Sequence, residues 1–147
     1  SYPAIVGFWM RSMTVVENEI LGGNGGVYIL DGPGVIAGNE IRDNAAGVQL
    51  DGTDGVLVKG NEVTDSGLWG IILFDGSSNN VVAGNEIEDS GQWGIALVDG
   101  SSNNVVSRNV VRNSVEFDLY WDGLGSGNVW KRNECQTSDP PGLCSAG

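Results

Sequence analysis

The sequence predicts an all-β solenoid, a right-handed single-stranded parallel β-helix of about six rungs of 21–24 residues with a C-terminal disulfide cap. Three observations predict it. Asn recurs as Asn18, Asn39, Asn61, Asn85, Asn109 and Asn133, at spacings of 21, 22, 24, 24 and 24, and each of these except Asn109 precedes Glu. Asp-Gly recurs at Asp31, Asp51, Asp75, Asp99 and Asp122, at spacings of 20, 24, 24 and 23. Between these markers the apolar residues alternate in pairs, Val27/Ile29, Val48/Leu50, Ile71/Leu73, Ile95/Leu97 and Leu119/Trp121. An alternation of period two means strand, and no segment carries a helical period.

Each unit divides into three strands. The strand before the Asn carries Val15, Ile36, Val58, Val82, Val106 or Trp130 three residues upstream of it. The strand after it carries Ile20, Ile41, Val63, Ile87, Val111 or Cys135 two residues downstream. The Gly-Ile-x-Leu strand follows, and Asp-Gly turns the chain into the next unit. One unit cannot bury its apolar side alone. Stacking units roughly 4.8 Å apart puts like residues over like and closes a shared core, giving a rod of roughly 29 Å. Crossovers between parallel strands are right-handed. The Asn falls in a tight bend, where left-handed backbone is tolerated. Stacked inward, Asn18, Asn39, Asn61, Asn85, Asn109 and Asn133 are predicted to bond amide to amide as a structural ladder.

Composition agrees with turns around a core. Gly is 24 of 147 residues and Pro only 4, while Val, Ile and Leu suffice to bury a core, which excludes disorder. The net charge of −12 repels phosphate backbones and anionic bilayers, so nucleic acid and membrane insertion are excluded as partners. No apolar run approaches the roughly 18 residues of a membrane helix. Cys135 and Cys144 flank a turn at Pro140-Pro141-Gly142. Read as a disulfide, they point to an oxidising setting: extracellular, periplasmic or cell-surface. The other reading is two thiols.

Stretches such as Asn79-Asn80-Val81-Val82-Ala83-Gly84-Asn85-Glu86-Ile87 and Gly94-Ile95-Ala96-Leu97 resemble the repeats of the pectin-lyase-like superfamily. The closer resemblance is to NosD-like and parallel β-helix repeat proteins. It spans residues 15–135. It implies a single domain over 1–147, with a lead-in at 1–14, rungs at 15–135 and a C-terminal cap at 136–147. Either Phe8, Trp9, Met10 and Met13 fold over the first rung as a makeshift cap, or earlier rungs are missing; the second is favoured, and the chain reads as the C-terminal portion of a longer protein. The superfold hosts lyases, hydrolases, epimerases and adhesins, so it does not fix an activity.

The resemblance also implies a groove on the outer face of the Gly-Ile-x-Leu strands. With Ile71 and Leu73 inward, the alternation turns Gly70, Ile72 and Phe74 outward, and likewise Asp118, Tyr120 and Asp122. Tyr28, Trp69, Phe74, Trp93 and Tyr120 are the candidates for binding carbohydrate. Trp69 and Trp93, one above the other, are either a corner filler of the core or a platform for sugar rings. None of the seven Lys and Arg falls on the central rows, which weakens a lyase, and the lack of His weakens an epimerase. A hydrolase needs two carboxyls about 5 or 6.5–9.5 Å apart. Asp51 with the entering-loop Asp43 or Asp65, or Asp118 with Asp122, could stand that close, and Asp118, Asp122 and Asp51 are the weak catalytic candidates. The stacked carboxylates of Asp51, Asp75 and Asp99 are either turn residues or a ladder that Ca²⁺ would relieve. The Glu column reads as a solvated face.

The expectation is a secreted module that interacts with extracellular polysaccharide and has no evident catalytic set. The alternatives are a glycan-cleaving hydrolase or lyase with active residues partly on missing rungs, and a structural subunit that binds another protein in a surface assembly.

Overall fold

A computed structural model describes residues 5–8 and 11–145. It contains three parallel sheets wound as one solenoid, and no helix among the described residues. The first sheet stacks Ile5–Phe8, Val27–Leu30, Ala46–Asp51, Trp69–Phe74, Trp93–Leu97, Phe117–Trp121 and Ser138–Asp139. The second stacks the six strands that precede each Asn, from Met13–Val16 to Val129–Lys131. The third stacks the five strands that follow it, from Glu19–Gly23 to Val110–Arg112. Register follows the repeat: Ile71 lies between Val48 and Ile95, and Val82 between Val58 and Val106.

The lead-in proves to be more structured than its sequence indicated. Ile5–Phe8 is a strand of the first sheet, paired with Val27–Leu30, and the second sheet starts at Met13. No Asn marker precedes this strand, so the repeat could not locate it. Trp9 and Met10, read as part of a cover over the first rung, lie outside the described residues.

Each rung gives its inward residues to one continuous core. Ile36, Ile41, Leu50, Val58, Val63, Ile71, Leu73 and Ile87 are fully buried. The corner from the third sheet to the first is the tightest point. A Cβ built on Gly26, Gly47, Gly70 or Gly94 falls within 2.7 Å of the next rung's Ile41, Val63, Ile87 or Val111 side chain. These glycines are therefore demanded by space. Sequence alternation turned Gly70 and Gly94 outward. Instead Gly70 and Ile71 both face in, because the strand bends at that corner and breaks its own alternation.

The Asn ladder is present. Asn18, Asn39, Asn61, Asn85 and Asn109 each donate Nδ2–H to the Oδ1 of the next member, at 2.9–3.1 Å, ending on Asn133. A second buried ladder accompanies it at the turn from the first sheet to the second. There Asn80 donates to Asn104 at 3.0 Å, Asn104 to Asn128 at 3.1 Å, and Thr53 Oγ1 to Asn80 Oδ1 at 3.1 Å. Asn80 and Asn104 of this ladder end the two Ser-Ser-Asn-Asn runs at 77–80 and 101–104.

The last rung is closed by the end of the chain. Cys135 and Cys144 form a disulfide, Ser138–Asp139 adds to the edge of Phe117–Trp121, and Leu143 is buried beneath. Trp121 and Trp130 pack against the same end of the core. An otherwise open strand edge is thus paired and its apolar floor covered.

Candidate functional site

The outer face of the first sheet collects the side chains with the most chemistry. Its registered strands lay them in columns. Ala46, Trp69, Trp93 and Phe117 stand at the start of the strands. Tyr28, Gln49, Ile72, Ala96 and Tyr120 form the middle column. Leu30, Asp51 and Phe74 form the next, which Val98 and Asp122 continue. Between the columns runs an open groove of about 490 Å³, floored by Ile72 and walled by Trp69, Trp93, Phe74 and Tyr120.

The tryptophan question resolves in favour of the surface. Trp69 and Trp93 are half-buried, line this groove and take no part in the hydrophobic core. Trp93 stacks on Tyr120 with ring centroids 4.2 Å apart and planes 5° from parallel. The Trp69 indole N–H donates to Gln92 Oε1 at 3.0 Å, which fixes the ring. Trp93 and Tyr120 thus pack face to face across neighbouring rungs, beside the apolar Ile72 and Phe74.

The carboxylates do not form the single column that Asp-Gly suggested. Asp31, Asp75 and Asp99 take left-handed backbone, φ 63°, 52° and 55°. Gly52 and Gly123 occupy that turn position on their own rungs, at φ 60° and 79°. Asp51 and Asp122 are therefore displaced one residue back, to the strand end, in line with Phe74 and Val98. The spacings of 20 and 23 at those two members were the sequence signal of this slip.

The slip places Asp51 beside two groups. Its Oδ2 accepts the Tyr28 hydroxyl, and Asp75 is its neighbour on the next rung. Burial pushes Tyr28 up to about 12, helped by the bond to Asp51 and by the charges of Asp51 and Asp75. Asp75 is raised above the usual carboxylate range, first by its bond with Asp51, then by desolvation and by the charges of Asp51 and Asp99.

At the far end, Asp122 accepts the Asp99 N–H at 2.8 Å and the Leu124 N–H at 3.0 Å, so its carboxylate braces a turn. Asp118 is a correction. The sequence put it outward with Asp122, but it occupies the inward corner position of Gly70 and Gly94 and is 2% exposed. Its carboxylate accepts the N–H groups of Ser114, Gln136 and Thr137 and ties the cap to the last rung. Asp118 and Asp122 thus face opposite sides of the strand and form no acid pair.

Among the described residues no group of three or more His, Cys, Asp or Glu is placed to hold a metal ion. Asp51, Asp75 and Asp99 are not such a group. The cations lie elsewhere. Arg42 pairs with Glu19 and Glu40, and Arg112 with Glu86 and Glu134, on the exposed third sheet. Lys59 and Lys131 end strands of the second sheet, and Arg108 and Arg132 sit in the bends that follow the second sheet.

A family model described as "right handed beta helix region" matches residues 4–136. No curated protein and no solved structure matches the chain. The matched span takes in the repeat, the three registered parallel sheets and both Asn ladders, and the chain belongs to the right-handed β-helix family.

Proposed function

We propose that this chain is a secreted module that binds an extracellular polysaccharide along the outer face of its first sheet. The observation that carries this reading is the aromatic groove. Trp69, Trp93, Phe74 and Tyr120 border one open channel of about 490 Å³ that follows the rod axis. A polymer of sugar rings offers apolar faces to such rings and hydroxyls to the flanking Gln49, Asp99 and Asp122. The disulfide supports an oxidising setting. The resemblance of the repeats to pectin-lyase-like proteins supports a glycan as ligand. Asp118 is tied up in the cap and Asp122 braces a turn, which favours binding without cleavage.

The test is a glycan array with a parallel search for product. Binding without product is the expected result. Trp93→Ala should weaken binding about threefold to tenfold, the size of one lost aromatic contact. Its melting temperature should stay close to that of the parent chain, because Trp93 lies outside the core. A folded chain that binds no glycan overturns the reading.

A further inference from the structure

We infer that the groove selects its glycan by charge and takes a chain of amino sugars, whose ammonium groups meet the carboxylates along its wall. This rests on the carbohydrate reading above and names the class of chain. Asp51, Asp75, Asp99 and Asp122 lie on four successive rungs of the first sheet, and Asp99 and Asp122 line the groove itself. Three rung spacings set the first and last about 14 Å apart, the length of several sugar units. No Lys or Arg lines the groove. All seven cations of the chain stand away from it: Arg42 and Arg112 on the third sheet, Lys59 and Lys131 at strand ends of the second, Arg108 and Arg132 in the bends after the second, and Arg11 ahead of Met13–Val16.

The site is therefore negative throughout, in a chain of net charge −12. A polyuronate brings like charge into it and is repelled. A neutral glycan gains the ring contacts alone. A polymer of glucosamine type gains the ring contacts and an ion pair at each carboxylate it passes. Asp99 is an exposed turn residue on the groove wall, and Asp75 is an exposed turn residue on the rung before it.

The experiment measures affinity of the whole chain for three probes of equal length, a glucosamine oligomer, its fully N-acetylated counterpart and an oligogalacturonate, at low and high salt. The glucosamine oligomer should bind about tenfold tighter than the acetylated one at low salt, as two or three exposed ion pairs provide. The margin should shrink at high salt, and the galacturonate should not bind. Asp75→Asn with Asp99→Asn keeps side chains that tolerate left-handed backbone, so the fold should hold. That double variant should lose the margin and keep its affinity for the acetylated oligomer. Equal affinity for the first two probes at low salt, or preference for the galacturonate, overturns the charge selection and leaves glycan binding standing. No binding to any probe overturns both.

Discussion

At Asn85 the side-chain amide uses all four of its hydrogen-bonding sites. Oδ1 accepts the Asn61 main-chain N–H at 3.0 Å and the Asn61 amide at 2.9 Å. Nδ2 donates to the Val58 carbonyl and to Asn109 Oδ1, both at 3.0 Å. Asn85→Ala strands these partners in a site closed to water, and about 3–5 kcal/mol should be lost in urea unfolding. Asn18 is exposed, and among the described residues no earlier Asn donates to it. Asn18→Ala should cost under about 1 kcal/mol by the same principle. Equal losses at the two positions would remove the ladder as the cause. Tyr28 gives a residue-scale prediction of another kind. Its pKa is raised from 10 to about 12, so the stabilisation is complete below pH 10 and is lost as pH rises through 12. Absorbance of the phenolate should show one tyrosine ionising near pH 12, and Asp51→Asn should lower that value toward 10.

At the scale of elements, the cap is held by one disulfide, one short strand and one carboxylate. Cys135 and Cys144 are 9 residues apart, and closing that loop contributes about 2.5–3 kcal/mol in the chain-entropy model. Cys135→Ser with Cys144→Ser should lower stability by that amount, read as a shift in urea midpoint, and hydrogen exchange should quicken first in Phe117–Trp121. Unchanged exchange there would mean that the cap does not protect the last rung. This element also shows what the sequence could carry. The cysteines and their turn were plain, because spacing and Pro-Gly content are local signals. The role of Asp118 was hidden, since only the stacked corner shows that its position is the inward one of Gly70 and Gly94. The strands were legible through alternation and the ladder through its period. The one-residue slip of Asp51 and Asp122 was written in two irregular spacings, but its effect, Asp51 meeting Tyr28 and Asp75, depends on registers across three rungs. Trp69 and Trp93 could not be assigned from sequence, because a corner residue with period two on one side only has no defined face.

For the whole molecule, charge is sorted by sheet. The first sheet's outer face is acidic and aromatic, the third carries Glu columns bridged by Arg42 and Arg112, and the second ends in lysines. Such sorting is available to a rod, where each column belongs to one face along its whole length. The ladder has a further consequence, which concerns time. The bonds that join one rung to the next span 24 to 27 residues at Asn85, and 24 to 27 again at Asn109. Every loop closed during folding is therefore of nearly one length, and none requires the two ends of the chain to find each other. The slow event is the meeting of the first two rungs. After it, each new rung docks on a finished template and meets the same small entropic barrier as the one before. A β-helix of this design should gain rungs without losing folding speed.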